Sequence, residues 1–416
     1  MPDKVWKWNL LEQKIAQVLS LHDYQEIRLS VLQDYGVIHE GITALMQQDE
    51  ATIAAEGIIN LSQPNGDLSL LTLRPEGTIS VLHHTAKIIK DHEVLRFYYM
   101  GPMFRKENNN VPSEFHQLGV ELLGSESVIS ENEVISLGIK ICQQLGLKDV
   151  NLHLNSFGCQ DCRVQFFEDM RAYLTEHETE LCATCFKKLY TNPFADADCG
   201  DVACTKAIME GPKIMDYLCP NCRRNFSKVK KIQANLAHQY TIDPKLFKNY
   251  AYYNETVFDF VIKKNGTEQV IGGGGRYDYL SRMITGKNIP AVGFYLNMDS
   301  IFETMDRRGL FTPLDKDFSV YIATQSEDLE MMLLQIAQEL HDNNIKTVLS
   351  TDKHSITEDV ALATKAQCEL MLVIRDENVR EGKILMRNLS KEHQDYIKLD
   401  GIIEAILLAR KSLNKE

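Results

Sequence analysis

The sequence lacks the features that would place the protein in a membrane or in a secretory pathway. Its 416 residues contain no run of eighteen apolar residues, and no basic stretch followed by an apolar one opens the chain. It also lacks a basic excess, because 45 Lys and Arg stand against 58 Asp and Glu, a net charge of -13. We therefore expect a soluble cytoplasmic protein with no membrane partner, whose overall field opposes nucleic-acid binding outside a local basic patch.

Local patterns predict helices and strands along the whole chain. Its 416 residues suffice for two or three domains with sizeable cores. Apolar residues at helical spacing predict amphipathic helices over Val5–Ser20 and 128–146, and Tyr24–Gln33 alternates like a strand. A polar segment at 306–317 contains Gly and Pro. Strands and helices alternate from 318 to 416, which predicts a small α/β domain.

The stretch Leu71–Gly124 predicts a long antiparallel hairpin. Two apolar, aromatic-rich segments, Arg96–Phe104 and Glu114–Leu123, flank a polar loop. Polar side chains gather at the base of this hairpin: Arg74, Glu76, Thr78, Arg105, Glu107, Gln117 and Glu121. Fixed charges on one face are costly unless a ligand needs them, which favours a binding site. A solvated two-faced sheet is the alternative.

Eight of the ten cysteines lie in one region and form four close pairs. The pairs are Cys159 with Cys162, Cys182 with Cys185, Cys199 with Cys204, and Cys219 with Cys222. Four such pairs supply enough thiolates for two four-cysteine zinc sites, which would stabilise a small insertion that has no core of its own. Disulfides are the alternative, but nothing indicates an oxidising compartment. The spacing leaves open which pairs would share a metal.

Three motifs resemble those of class II histidyl-tRNA synthetases. They are L-R-P-E-G-T (Leu73–Thr78), G-P-M-F-R-x-E (Gly101–Glu107) and F-H-Q-L-G-V-E (Phe115–Glu121). The resemblance covers most of the chain and implies an α+β fold, whose class II aminoacyl-tRNA synthetase core is an antiparallel sheet with flanking helices. The implied divisions are the core at 1–158 and 241–305, a cysteine-rich insertion at 159–240, a linker at 306–317, and a C-terminal α/β anticodon-binding-like domain at 318–416.

The resemblance also implies a histidine pocket. Its residues would be Glu76, Thr78, Gln117, Glu121, Tyr252, Tyr253 and Tyr277. Glu76 and Thr78 would hold the amino group of histidine, because a partly buried ammonium needs a carboxylate. Tyr277 follows the glycine-rich run IGGGGR, whose glycines would let the amino acid lie against backbone.

The implied ATP site departs from the family pattern. By resemblance, Arg105 would grip the α-phosphate and Glu107 would contact adenine. Lys248 stands where the family has its catalytic arginine; it keeps the charge but loses the bidentate geometry. The loop at 106–113 reads KENNNVPS and lacks the arginines that the family places there.

The third class motif departs as well, in the segment Ala291–Phe302 (AVGFYLNMDSIF). Asn297, Asp299 and Ser300 replace a glycine, a glutamate and the motif's arginine. Three cation positions of the implied ATP site are therefore altered: the loop at 106–113, Lys248 and Ser300. Transfer chemistry at a phosphate depends on cations that stabilise its negative charge. We expect adenylation to be lost or much reduced, which makes ATP and Mg²⁺ binding doubtful, with Arg105 and Lys248 as the remaining catalytic residues.

The C-terminal domain has an acidic excess. Residues 318–416 contain 17 Asp and Glu against 12 Lys and Arg. Binding of RNA phosphate normally uses basic residues, so tRNA binding is doubtful.

Three hypotheses for the function follow. The main hypothesis is a non-catalytic, histidine-binding regulatory subunit of ATP phosphoribosyltransferase, acting in histidine biosynthesis with the short catalytic subunit. The alternatives are an active histidine–tRNA ligase and a histidine sensor with another partner. The resemblance also implies a homodimer.

Overall fold

The structure is a computed structural model that divides into two compact units, Met1–Phe311 and Thr312–Glu416. The described residues are 2–43, 57–61, 71–90, 93–106, 113–194, 197, 199–244, 246, 248, 252–264, 266–312, 318–352, 354–391 and 393–413. In this part of the chain, no helix has both the length and the apolarity needed to span a membrane. The domain bounds given above stay predictions.

The first unit is built on a mostly antiparallel eight-stranded sheet, as the predicted α+β class requires. The strands of the unit are β1 (Gln25–Glu26), β2 (Leu32–Asp34), β3 (Asn60–Leu61), β4 (Leu71–Leu73), β5 (Leu95–Phe104), β6 (Glu114–Leu123), β7 (Asn151–Ser156), β8 (Tyr240–Ile242), β9 (Asn254–Lys264), β10 (Thr267–Arg276) and β11 (Ala291–Asn297). The large sheet has the order β1-β5-β6-β11-β10-β9-β7-β8, and β2-β4-β3 form a small second sheet. The predicted hairpin is confirmed as β5 and β6, paired from Leu95 with Leu123 to Phe104 with Glu114.

Helices cover both faces of the large sheet. They are α1 (Pro2–Leu21), α2 (Tyr35–Thr43), α3 (Thr78–Ile88), α4 (Val128–Gln144), α5 (Gln160–Glu176), α6 (Ala183–Thr191), α7 (Val202–Glu210), α8 (Pro220–Asn235), α9 (Asp278–Thr285) and α10 (Met298–Arg307). Side chains alternate between two cores, as in any strand: Phe258 and Phe260 join the core under α1 and α4, whereas Val257 joins the core under α3 and α9. The cysteine-rich insertion consists of α5 to α8.

The predicted strand at Tyr24–Gln33 is wrong in its middle. Only its ends, in β1 and β2, are strand, because the chain passes there from the large sheet to the small one. The carbonyl of Leu29 accepts a hydrogen bond of 2.7 Å from the Arg74 side chain instead of a bond from a neighbouring strand. The predicted helices over Val5–Ser20 and 128–146 are confirmed as α1 and α4.

The second unit is the predicted α/β domain. Its elements are β12 (Ser319–Thr324), α11 (Glu330–Asp342), β13 (Lys346–Leu349), α12 (Ile356–Lys365), β14 (Leu370–Ile374), α13 (Asp376–Arg380), β15 (Lys383–Asn388), β16 (His393–Lys398) and α14 (Ile402–Leu413). The sheet order is β13-β12-β14-β15-β16. The edge strand β16 is exposed along almost its whole length, so a pattern of apolar residues does not reveal it.

Candidate active site

Three side chains from different elements form a buried hydrogen-bonded group. The hydroxyl of Thr78, the first residue of α3, donates to one oxygen of Glu121 on β6 at 2.8 Å, and the hydroxyl of Tyr277 donates to the other. Opposite Glu121 on β11, a Cβ at Gly293 would lie 2.0 Å from that second oxygen, so only glycine leaves room for the group. The fold thus brings together three of the residues predicted to bind an amino acid.

Glu121 is the electrostatic centre of this group. Only 2% of the residue is exposed. Burial raises the pKa of Glu121 to about 8, although the hydrogen bonds from Tyr277 and Thr78 favour the ionised form. A carboxyl group in this state holds a proton near neutral pH and can exchange it with a ligand. It is therefore suited to a titrating partner such as an imidazole.

Replacing Glu121 by Gln is expected to remove a pH-dependent loss of stability. The folded pKa of about 8 lies above the unfolded value of about 4.3. Between these two values the unfolded chain has released its proton and the folded chain has not, so the free energy of unfolding falls as pH rises. E121Q should flatten that fall in urea unfolding at pH 5 and pH 8. E114Q, an exposed carboxylate on the same strand, is the matched control, and equal slopes for both variants would contradict the raised pKa.

Glu76 caps the helix that carries Thr78. Its two oxygens accept the backbone N–H groups of Thr78 at 2.7 Å and Ile79 at 2.8 Å. Burial raises the pKa of Glu76, while these backbone bonds oppose that shift. Each carboxylate oxygen can accept more than one hydrogen bond, so the cap is compatible with the predicted contact to an amino group.

The side chain of Gln117 is positioned by a hydrogen bond to a tyrosine that the sequence motifs did not identify. Its side-chain amide donates to the hydroxyl of Tyr99 at 3.3 Å. The ring of Tyr99 is buried against two glycines, because a Cβ at Gly77 or Gly119 would lie 2.2 Å or 2.0 Å from it. The glycines of two motifs thus make room for one ring, which is a contact between elements that spacing along the chain does not reveal.

Three tyrosines gather beside this group. Tyr252 and Tyr253 are buried, with ring centroids 4.8 Å apart. Tyr277 lies edge-on to both, at 5.9 Å and 6.3 Å. The structure therefore brings together the three tyrosines predicted for one pocket, and their rings form an apolar wall next to Glu121.

Lys248, the predicted catalytic cation, is 8% exposed and lies beside the glycine-rich strand. Its ammonium forms an ion pair with Asp259 and donates to the carbonyl of Phe258 at 3.0 Å. It also lies 5.9 Å from the ring centre of Tyr253. A Cβ at Gly273 would lie 1.9 Å from Asp259 and 2.7 Å from the ammonium. Gly273 therefore leaves space for this ion pair, in addition to the role predicted for the glycines.

Arg105 is held close to Glu76. Its Nε donates to the carbonyl of Pro75 at 2.9 Å, and its guanidinium lies 5.1 Å from the ring centre of Phe115. The charge of Arg105 opposes the rise in the pKa of Glu76 that burial causes. Glu107, predicted to contact adenine, lies outside the described residues.

The altered residues of the third motif have structural roles. The side chain of Asn297 accepts the backbone N–H of Ser300 at 2.9 Å and so caps α10. Asp299 accepts the backbone N–H of His116 at 2.6 Å, which fastens the start of α10 to β6. These substitutions therefore stabilise the edge of the site, a role that the motif comparison did not suggest.

Arg276 is a buried charge that sequence reasoning left without a role. Its guanidinium donates to Glu131 and to Asp278, both at 3.0 Å, and to the backbone carbonyls of Ser125 and Ser127. The run GGGGRYD was the sequence signal for this network, because it contains both Arg276 and Asp278. Asp278 also accepts the backbone N–H of Ala291 at 2.9 Å. This network fixes the turn that presents Tyr277.

The eight cysteines form two groups that could each hold a metal ion. Cys159, Cys162, Cys219 and Cys222 form the first group, and Cys182, Cys185, Cys199 and Cys204 form the second. The sulfur atoms within each group lie within 4.8 Å of one another. A tetrahedral zinc with Zn–S bonds of about 2.3 Å needs sulfurs about 3.8 Å apart, so the donor sets fit. All eight are free thiols. The first group joins two pairs that are far apart in sequence, whereas the second group joins two neighbouring pairs.

Backbone groups favour the thiolate form at one cysteine of each group. The backbone N–H of Cys185 lowers the pKa of Cys182 to about 7, and that of Cys222 lowers the pKa of Cys219 to about 7. Both cysteines lie at helix N-termini, at the starts of α6 and α8. Metal binding by thiols requires loss of the proton, so this geometry assists it.

Comparison with protein families gives two matches. A family described as "Histidyl-tRNA synthetase" matches residues 1–167 and 205–301, and one described as "Anticodon binding domain" matches residues 319–408. The first match spans the predicted pocket and the first cysteine group. The second cysteine group, from Cys182 to Cys204, lies in the unmatched gap between its two parts.

Curated relatives match along almost the whole chain. "Histidine--tRNA ligase" of Halothermothrix orenii is 32% identical over 97% of this chain and 96% of its own length. The protein of the same name from Caldicellulosiruptor bescii is 30% identical over 97% and 95%. Apo histidyl-tRNA synthetase of S. aureus superposes with a TM-score of 0.79 at 24% identity, covering 98% of this chain and 97% of that one. A Bacillus halodurans structure titled "ATP phosphoribosyltransferase regulatory subunit/histidyl-tRNA synthetase" superposes at 0.60 with 18% identity over 90% and 95%, which shows the shared fold alone.

These matches overturn the main functional hypothesis. The prediction of a non-catalytic regulatory subunit in histidine biosynthesis, partnered by a short transferase subunit, is wrong, because the full-length relatives are named as histidine–tRNA ligases. The statement that tRNA binding is doubtful is wrong as well, because the second unit matches an anticodon-binding domain. Charge counting failed because a domain's overall acidity does not describe its local binding surface.

Proposed function

This chain belongs to the histidyl-tRNA synthetase family, and we propose that it is a histidine–tRNA ligase that activates histidine with ATP and transfers it to tRNA. The observation that carries the proposal is the buried group of Thr78, Glu121 and Tyr277, since a titratable carboxyl group held by two hydroxyls is suited to bind an imidazole. The similarity to ligases along 97% of the chain supports it.

In the first step, the carboxylate of histidine attacks the α-phosphorus of ATP and releases pyrophosphate. Glu121 and Tyr277 would hold the imidazole, and Glu76 and Thr78 the amino group. Arg105 and Lys248 would stabilise the negative charge that grows on the phosphate and carboxylate oxygens. Mg²⁺ bound with ATP would neutralise further phosphate charge.

In the second step, a terminal hydroxyl of tRNA attacks the carbonyl carbon of the adenylate and releases AMP. We propose that the second unit, Thr312–Glu416, engages the tRNA through the fold it shares with anticodon-binding domains.

We further propose that the protein is a cytoplasmic homodimer, and that each cysteine group holds one structural zinc ion. A closed four-cysteine site suits a structural ion, because it leaves no position for a substrate.

The decisive experiment measures histidine-dependent ATP–pyrophosphate exchange and then histidylation of tRNA with the purified full-length protein. We expect both reactions, and E121Q should weaken histidine-dependent exchange while E114Q leaves it unchanged. Exchange without histidylation would restrict the proposal to amino acid activation. Absence of both reactions in a folded, zinc-loaded protein would refute it.

A further inference from the structure

The cysteine-rich insertion contacts the candidate active site at two backbone groups. The guanidinium of Arg163, on α5, donates to the carbonyl of Tyr253. The carbonyl of Phe194 accepts the backbone N–H of Lys248 at 3.1 Å. Tyr253 belongs to the tyrosine wall and Lys248 is the proposed catalytic cation, so the insertion holds the backbone of both.

Arg163 is adjacent in the chain to the first cysteine group. It follows Cys162, which lies in the first turn of α5, and Cys159 immediately precedes that helix. The sulfur of Cys162 also accepts the backbone N–H of Cys219 at 3.2 Å, which joins α5 to the start of α8. The direction of the Arg163 side chain thus depends on the orientation of a helix that the first cysteine group anchors.

Phe194 is connected to the second cysteine group along the chain and to the first through its contact with Arg163. It follows α6, whose first turn contains Cys185, and it precedes Cys199 of the second group. The ring of Phe194 stacks on Phe157 at 4.1 Å, and the guanidinium of Arg163 lies 5.1 Å from its centre. Phe194 is 3% exposed, so this packing is tight and can transmit a displacement.

We propose that Arg163 and Phe194 are positioning residues through which the two cysteine groups, when they hold metal, fix Tyr253 and Lys248 for histidine binding and activation. The part that concerns activation rests on the proposed function. The physical reason is that a four-cysteine metal site supplies much of the folding free energy of a small segment. Loss of the ion would therefore release α5, which carries Arg163, and the turn after α6, which carries Phe194. Arg163 and the first cysteine group lie within the family match, whereas Phe194 and the second group lie in the gap between its two parts.

The first test compares two arginines of one helix. R163M removes the bonds to the carbonyls of Tyr253 and Phe157, whereas R171M removes an arginine that donates to the carbonyl of Tyr190 at 3.1 Å within the insertion. R163M is expected to lower kcat of pyrophosphate exchange by about 10²-fold and to weaken histidine binding in calorimetry by about tenfold or more. R171M should change neither, and R163K, which keeps the positive charge and one donor nitrogen, should recover part of the loss. Zinc content is measured in each variant; an R163M protein with full zinc and wild-type kinetics would overturn the proposal.

The second test removes the metal from the wild-type protein. Zinc is extracted with dipicolinic acid under reducing conditions and then returned, and histidine is titrated calorimetrically without ATP at each stage. We expect histidine affinity to fall on extraction and to return with Zn²⁺, together with hydrogen-exchange protection of the segment Tyr252–Asp259. Unchanged affinity and protection in zinc-free protein would refute the coupling.

These readouts separate the two proposals. If the wild-type protein fails to catalyse exchange, the proposed ligase function fails, yet histidine titration and hydrogen exchange still decide whether the insertion controls the pocket. If exchange occurs and R163M behaves as R171M does, the ligase function stands and the positioning role falls. Urea unfolding of each variant shows whether R163M has lost its overall fold, in which case R163K carries the kinetic comparison.

Discussion

Replacing Lys248 by Met is expected to lower the rate of histidine-dependent pyrophosphate exchange by about 10²–10³-fold, because it removes the buried cation proposed to stabilise phosphate charge. The same change leaves Asp259 buried without its ion-pair partner. Breaking a buried pair from one side costs about 3–5 kcal/mol of stability. K248R, which restores the residue type that the family pattern carries, should keep most of the activity.

A double variant separates the catalytic loss of Lys248 from the loss of stability. In K248M/D259N the buried carboxylate is gone, so the free energy of unfolding should recover while the exchange rate stays low. Burial raises the pKa of Asp259, and Lys248 opposes that shift. The unfolded carboxylate ionises first as pH rises, so the instability of K248M should grow from pH 4 towards neutral pH. Wild-type exchange by K248M would show that Lys248 is only an ion-pair partner.

Replacing Arg276 by Met is expected to reduce the free energy of unfolding by about 3–5 kcal/mol. The change leaves Glu131 without its ion pair in a site where only 1% of that side chain is exposed. It also removes the charged partner of Asp278, which positions the turn before α9, so the histidine KM should rise. Urea unfolding and exchange kinetics measure the two effects.

The surface pair of Arg308 and Asp149 supplies the control for Arg276. It is also a close pair, at 2.6 Å, but 26% and 43% of its side chains are exposed. R308M should therefore cost at most about 1 kcal/mol. The double variant R276M/E131L, which replaces the buried pair by apolar side chains, should recover part of the stability. A cost for R276M no larger than that for R308M would show that the buried network is not structurally important.

The sequence by itself determined the hairpin β5–β6 and the alternating α/β pattern of the second unit, while the histidine pocket that the family resemblance implies stays a prediction. These features depend on short-range information: period-two and helical spacing, and motifs whose residues lie within a few positions of one another. The family followed from the same motifs. The wrong functional hypothesis came from interpreting three altered cations, in the loop at 106–113, at Lys248 and at Ser300, as a loss of adenylation.

The tertiary structure alone decided which groups share a site. It paired Cys159 and Cys162 with Cys219 and Cys222, and it set Lys248 against Asp259 across the space left by Gly273. It also gave Arg276 its carboxylate partners and Asn297 its cap. The physical reason is that ion pairs, metal sites and close contacts depend on distances of a few ångströms between residues far apart in the chain, and spacing along a sequence does not contain those distances.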